Sequence, residues 1–82
     1  MINIEKIKEQ FPDLEILQAD GFDRAIIGLE PLSGKLIYDI NKMIDVLLEE
    51  GLSEIDAIDH LEFNVINAYV GEQTPIYIHT ID

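Results

Sequence analysis

The sequence predicts an α+β domain in which a hairpin and a C-terminal strand form a small antiparallel or mixed three-stranded sheet covered by three helices, in the order α-β-β-α-α-β. Three observations predict it. Two apolar runs flank a Pro-Leu-Ser-Gly turn sequence at residues 31–34. Two later segments carry apolar residues at helical spacing. The chain closes on a β-branched and aromatic run at residues 76–81.

The first helix is expected at the N-terminus. Asn3 is a suitable N-cap residue, and Ile4, Ile7 and Phe11 follow at helical spacing. Pro12 cannot continue the helix, so the pattern predicts that the helix ends before it.

The hairpin is predicted from two strands, at residues 25–30 and 35–38. A loop over residues 13–23 leads into it, because Asp20-Gly21 is a turn dipeptide. Gly28 lies inside the first strand, where a glycine indicates either a bulge or the close approach of another element.

The second helix has the most regular pattern in the chain. Asp39 is placed to cap its N-terminus, and Gly51 follows its last apolar residue, where a left-handed C-cap is common. The apolar face recurs at i, i+3, i+4, i+7 and i+8 and consists of Ile40, Met43, Ile44, Leu47 and Leu48.

The third helix begins at Ser53, with Asp56 three positions later in an arrangement like a capping box, and Gly71 closes it. Because only one residue separates Gly51 from Ser53, the second and third helices are predicted to form an αα-hairpin. The expected core-facing stripe of the third helix is Ile55, Ile58, Leu61, Val65, Ala68 and Tyr69.

The closing strand covers residues 76–81, and Pro75 at its start suits an edge position. The sequence leaves the strand order open, because this strand could pair with either strand of the hairpin.

Composition indicates one cytoplasmic domain spanning residues 1–82, since 82 residues suffice for one core and not for two. There is no cysteine, which excludes disulfides and thiolate metal sites and fits a reducing compartment. Residues 1–10 alternate isoleucine with charged residues and do not have the pattern of a signal peptide or a membrane span.

The charge balance bears most directly on function. Seventeen acidic and five basic residues give a formal net charge of -12. This charge repels nucleic acid phosphates and anionic lipids, so direct binding to either is not expected, and it favours a protein partner with a basic surface. The alternative is that the acidic residues serve solubility alone.

Acidic residues concentrate where the second and third helices meet. Glu49 and Glu50 stand beside the negative end of the helix dipole, and Asp45 precedes Glu49 by one turn, which is against local electrostatic preference. Such a concentration is typical of an acidic interaction surface. The predicted partner-binding residues are Asp45, Glu49, Glu50, Glu54, Asp56, Asp59, Glu62 and Glu72.

No catalytic motif is present: the sequence contains no phosphate-binding glycine loop, no serine elbow and no H-E-x-x-H pair. Asp56, Asp59 and His60 are candidates for a metal site on the third helix, although a solvated helix face is the preferred interpretation, and no cofactor is expected.

Three further carboxylates flank the hairpin: Asp20, Asp23 and Asp39. Two of them held close together could act as an acid and a base. Turn and cap roles explain them as well.

A second apolar stripe on the third helix consists of Phe63, Ile66 and Val70. Burial by the first helix is the preferred expectation, because the short apolar stripe of that helix also needs covering. A homodimer through these residues is the alternative, and an open strand edge could add to it.

Two signatures resemble a pattern in small phage and bacterial open reading frames of unassigned function. One is D-G-F-D followed by A-I-I-G at residues 20–28, and the other is F-N-V, A-Y-V-G-E and T-P-I within residues 63–76. The resemblance covers most of the chain beyond residue 20 and implies no particular activity. In size and charge the chain is also similar to phage inhibitors of host defence enzymes, some of which imitate DNA.

The sequence therefore favours a non-enzymatic module that binds a basic partner through an acidic surface, with a phage-type inhibitor or DNA mimic as its most specific form. The alternatives are a small metal-dependent enzyme on the third helix and a structural homo-oligomer.

Overall fold

The computed structural model describes residues 4–13, 16–19, 21–67 and 71–81, which contain three helices and a three-stranded sheet. One turn of 3-10 helix, Asp23–Ala25, precedes the hairpin, and a π-helical turn, Glu62–Ile66, continues the third helix. The predicted α+β fold is confirmed, and in the described residues the helices and strands follow one another as α, β, β, α, α, β. The elements are α1 (Ile4–Gln10), β1 (Ile26–Leu29), β2 (Leu36–Asp39), α2 (Ile40–Glu49), α3 (Glu54–Leu61) and β3 (Ile76–Ile78).

Some sequence predictions concern residues outside the described ranges. They are the N-cap at Asn3, the turn residue Asp20, and the α3 stripe residues Ala68, Tyr69 and Val70.

The sheet is mixed, and β2 is its central strand. β1 pairs with β2 in antiparallel orientation and β3 pairs with β2 in parallel orientation, which settles the strand order. β3 is an edge strand with Pro75 directly before it, as predicted. It ends at Ile78, and not at residue 81, because Ile78 pairs with Asp39, where β2 gives way to α2 and offers no further partner.

The hairpin contains the bulge that Gly28 predicts. Ile26 pairs with Tyr38 and Gly28 pairs with Ile37, so Ile27 is the extra residue on β1. The other interpretation, a close approach by another element, is wrong for this glycine. A Cβ atom placed on Gly28 would meet only the Cδ1 atom of Ile37, at 3.9 Å.

The core lies between the sheet and the α2–α3 pair. Leu36 and Tyr38 point into it from β2, with the partly exposed Ile37 between them, as the period of two along a strand requires. Tyr38 also orders the preceding loop, because its hydroxyl accepts a hydrogen bond from the backbone N–H of Ala19 at 2.8 Å. Met43 of α2 completes this fully buried centre.

Both predicted ends of α2 are confirmed. The Asp39 carboxylate accepts a hydrogen bond from the backbone N–H of Asn41 at 2.9 Å, as an N-cap does. At the other end Gly51 has φ +102°, and the N–H of Leu52 donates to the carbonyl of Leu47 at 3.2 Å. This bond is the long-range contact of a Schellman C-cap.

The buried face of α2 is rotated slightly from the predicted one. Ile40, Met43 and Leu47 are buried as expected, but Val46 is also buried and Leu48 is exposed. The rotation arises because the 3-10 turn Asp23–Ala25 packs on the Val46 side of α2.

The inward face of α3 differs from the predicted stripe. Ser53 caps the helix as expected, its hydroxyl accepting from the Asp56 N–H at 3.2 Å. The buried residues are Ala57 and Leu61, whereas Ile55 points into solvent. The small Ala57 allows α3 to approach its neighbours closely on that side, and Ile55 is left on the outside.

The π-helical turn explains why the two predicted apolar stripes merge at the end of α3. A π-turn adds one residue to the helical repeat. Val65 and Ile66 therefore both pack against the core after Leu61, while Phe63 is exposed. In a regular α-helix Val65 would keep the face of Leu61, whereas Ile66 would lie about 140° around the helix axis from Leu61.

Candidate protein-binding surface

The outer side of α3 carries acidic and apolar side chains in alternation. Asp59 stands one helical turn from both Ile55 and Phe63, at i-4 and i+4. Ile55 is 73% exposed and Phe63 is 79% exposed, so neither contributes to the core. The α3 face is defined here as the exposed residues Glu54, Ile55, Asp56, Asp59, Glu62 and Phe63.

Two of the predicted acidic residues, Asp45 and Glu49, differ from the α3 face because cations lie beside them. The Arg24 guanidinium donates to Glu49 Oε2 at 2.5 Å, and both side chains are more than half exposed. This hydrogen bond lowers the pKa of Glu49 and raises the pKa of Arg24. Lys42 joins these three residues in lining a shallow depression of about 210 Å³. The negative charge of this depression is therefore partly neutralised.

No such compensation is available within α3 itself. Lys42 is the last basic residue among Lys and Arg in the chain, so the segment 43–82 contributes acidic residues without a single lysine or arginine. Asp45 and Glu49 also follow Lys42 in the chain, but Arg24 and Lys42 line the same depression as these two acids, whereas α3 contains no lysine or arginine. The distinction between the two groups therefore comes from the structure.

The other two predicted acidic residues lie at the margins. Glu50 is exposed at the C-cap of α2, next to the Gly51 turn that leads to α3. Glu72 is exposed in the segment before β3 and is separated from α3 in the chain by residues outside the described ranges. Participation of both in binding stays a prediction.

The acidic residues of α3 divide into two groups by their position along the helix. Glu54 and Asp56 are in the first turn, where negative charge is stabilised by the helix dipole. Asp59 lies three residues after Asp56 and three before Glu62, so it has a like charge on each side. Each such pair costs a helix about 0.2–0.5 kcal/mol. Of the acidic residues in α3, Asp59 is therefore the one whose negative charge contributes least to the stability of the helix.

The three residues predicted for self-association have different environments. Phe63 is exposed, so the expectation that α1 buries it is wrong. Phe63 follows the buried Leu61 by two residues, which places it about 200° around the helix and away from the core. Ile66 is partly buried against the core, and Val70 lies outside the described residues. Of the predicted set, only Phe63 offers a large accessible apolar surface in the part of the chain described.

The metal candidates Asp56, Asp59 and His60 are all exposed on α3. The His60 Nδ1 atom is 3.5 Å from the Asn64 side-chain nitrogen. Over residues 4–13, 16–19, 21–67 and 71–81, no three His, Asp or Glu side chains are grouped to hold a metal ion.

The carboxylates near the hairpin have structural roles where they are described. Asp39 is buried and caps α2, as its alternative interpretation predicts. Asp23 begins the 3-10 turn and is exposed, and Asp20 lies outside the described residues.

A groove of about 240 Å³ opens beside the α3 face, between α2, α3 and the end of β3. Glu62 belongs both to the groove and to the α3 face, and His79 lines the groove from the β3 side. The remaining lining is apolar and consists of Ile40, Ile44, Ile58, Leu61 and Ile66. Sequence periodicity did not reveal this groove, because its lining residues come from three separate segments of the chain.

Comparison with protein-family models, with curated proteins and with solved structures finds no match for this chain. Among the described residues, no helix combines the length and the apolar character needed to cross a lipid bilayer.

Proposed function

We propose that this protein is a non-enzymatic binding module that engages a basic protein partner through the α3 face. The single observation that carries the proposal is the alternation of uncompensated acidic residues with the exposed side chains of Ile55 and Phe63. Exposed apolar patches rimmed by polar residues mark interaction sites on soluble proteins. The surrounding carboxylates select a partner with positive charge around its own apolar contact.

The same alternation argues against self-association through this face. Two copies that buried Ile55 and Phe63 against each other would bring Asp59 and Glu62 of both chains together without any lysine or arginine from α3. Like charges placed opposite each other across an interface cost several kcal/mol. The same carboxylates attract a basic partner and repel a second copy of the chain.

Phe63 also bears on the more specific idea of a DNA mimic. A surface that imitates phosphates needs carboxylates in a regular array, and duplex DNA carries about one charge per 1.7 Å of axis. An aromatic side chain that is 79% exposed within the acidic residues serves apolar contact instead. The α3 face therefore favours a partner surface that combines apolar and basic residues. A surface of a nucleic-acid-binding or defence protein that does not itself contact phosphates would fit this description.

The test is affinity capture from a lysate of the source organism, or of its host, at low and at high salt. Three proteins are compared: the wild type, an α3 variant with Glu54→Gln, Asp56→Asn, Asp59→Asn and Glu62→Gln, and a matched control. The control removes four acidic residues from the first half of the chain, with Glu5→Gln, Glu9→Gln, Asp13→Asn and Asp23→Asn.

Both variants lose four negative charges, so a difference between them reports the place of the charge and not its amount. We expect the same basic protein to be retained by the wild type and the control and to be lost from the α3 variant. Retention should weaken at high salt, because exposed charges are then screened. Equal retention by both variants, or no protein retained by the wild type, would contradict the proposal.

A second pair of variants tests the apolar part of the face. Phe63→Ser should weaken retention of the partner, while Leu32→Ser should leave it unchanged. Leu32 is the appropriate control because it is 95% exposed in the hairpin turn, away from α3.

A further inference from the structure

We infer that the groove beside the α3 face receives one apolar side chain from the basic partner, and that a lysine or arginine next to that side chain pairs with Glu62. The inference rests on the proposed function and specifies the chemistry of the partner: a basic amphipathic segment with an apolar anchor. It is carried by the shape and lining of the groove and by the continuity of the groove with the α3 face.

The residues that line the groove differ widely in exposure. Leu61 is 1% exposed, whereas Ile58 is 37% exposed. Ile44 and Ile66 are partly buried between these extremes. Apolar walls of this kind gain from excluding water when an apolar side chain enters.

The size of the groove favours a side chain over a small molecule. Its volume of about 240 Å³ lies below the roughly 300–1,000 Å³ that is usual for small-molecule pockets. Protein interfaces, by contrast, commonly place a single anchor residue in a well-packed pocket near the centre of the contact.

The negative charge at the groove favours basic residues around that apolar anchor in the partner. Glu62 lines the groove and also belongs to the α3 face, so a partner that reaches into the groove meets the Glu62 carboxylate. His79 also lines the groove. A helical segment presents residues at i, i+3 and i+4 together, which lets one apolar residue enter while its basic neighbours face the acidic residues.

The experiment uses two defined probes and the full-length protein labelled with ¹³C at the isoleucine δ1 methyl groups. One probe is a synthetic peptide with leucine at i, i+3, i+4 and i+7 and lysine elsewhere. The other is oligo-lysine with the same number of lysines. Affinities are measured by calorimetry at low salt, and the methyl spectra locate the contact.

We expect the leucine–lysine peptide to bind at least about tenfold more tightly than oligo-lysine, which corresponds to about 1.4 kcal/mol. The δ1 methyl signals of Ile44, Ile58 and Ile66 should move, and those of Ile26 and Ile37 in the hairpin should not. Ile58→Ser should abolish the advantage of the leucine–lysine peptide, while Leu32→Ser should preserve it.

The two proposals fail in different ways. If both peptides bind equally and the groove methyl signals stay in place, the groove inference is overturned while binding at the α3 face stands. If neither peptide binds at low salt, the proposed function falls together with the inference. The methyl spectra of the wild type decide the matter even if the Ile58→Ser variant does not fold.

Discussion

Thr80 donates a hydrogen bond from its hydroxyl to Oδ2 of Asp39 at 3.2 Å, across 41 positions of sequence. The other carboxylate oxygen of Asp39 accepts from the Asn41 N–H at 2.9 Å and so caps α2. One buried carboxylate, 4% exposed, therefore fixes the start of α2 and ties the chain beyond β3 to it. The contact joins the start of α2 to the segment after β3, and residues of both segments line the groove.

Replacing Asp39 by alanine should destabilise the fold by about 2 kcal/mol, because the change removes an N-cap and leaves Thr80 without this acceptor. Asp39→Asn keeps a capping oxygen and should cost less than half as much. Thr80→Val removes only the contact with the chain end and should cost about 1 kcal/mol. Urea unfolding followed by circular dichroism measures all three. A Thr80→Val variant as stable as the wild type would show that the contact contributes nothing.

The glycines at positions 28 and 51 should respond in opposite directions to substitution by alanine. Gly51 has φ +102°, and a side chain there should cost about 1–2 kcal/mol. Gly28 is outside the positive-φ region, and its added Cβ would make only an ordinary contact with Ile37. Gly28→Ala should therefore be neutral or stabilise the fold by about 0.4–1 kcal/mol through the unfolded state. Paired urea midpoints check this, and a large loss in Gly28→Ala would mean that the bulge itself requires glycine.

The order of elements, the caps at Asp39, Gly51 and Ser53, and the bulge at Gly28 could all be predicted, because each depends on a few neighbouring residues. Local chemistry acts within one or two turns of the chain and leaves a readable signature. The parallel pairing of β3 with β2 could not be predicted in this way. The pairing depends on where the αα-hairpin places the start of β3, and no local sequence pattern determines that position.

The candidate site was predictable in part. The acidic residues of α3 could be located by their place in the chain, but their separation from Asp45 and Glu49 could not, because the contact between Arg24 and Glu49 spans 25 positions of sequence. Periodicity predicted the wrong side for Ile55, because Ala57 and Leu61 form the buried side of α3. Phe63 follows Leu61 by two residues and so lies on the opposite side of the helix, but whether another element covers that side depends on tertiary packing.

The hairpin turn provides a test of electrostatics away from the proposed site. Glu30 accepts hydrogen bonds from the Ser33 hydroxyl at 2.6 Å and from the N–H groups of Leu32 and Ser33. These bonds, the hydroxyl above all, hold the pKa of Glu30 below its ordinary value. A carboxyl with a lowered folded-state pKa stabilises the fold above its unfolded-state pKa. This contribution is lost as the pH falls through the folded-state value.

Ser33→Ala should therefore raise the pKa of Glu30 towards the ordinary value, without reaching it, because the two backbone donors remain. Arg24→Gln is the matched comparison, since it should raise the pKa of Glu49 and leave that of Glu30 unchanged. Carboxyl ¹³C titrations of the two variants check both expectations. A Glu30 pKa that does not move in Ser33→Ala would contradict the assigned hydroxyl contact.

Asp59 links the stability of α3 to its proposed function. Its charge stands three residues from Asp56 and three from Glu62, so Asp59→Asn removes two repulsive pairs and should stabilise the fold by about 0.4–1 kcal/mol at low salt. The gain should shrink in high salt, because exposed charges are then screened. Thermal unfolding at both salt concentrations measures it, with Asp23→Asn as a control for the loss of one negative charge. The same Asp59→Asn variant should bind the leucine–lysine peptide more weakly, since Asp59 belongs to the α3 face that the lysines are expected to contact. A variant that is more stable and binds equally well would mean that Asp59 serves solubility and not recognition.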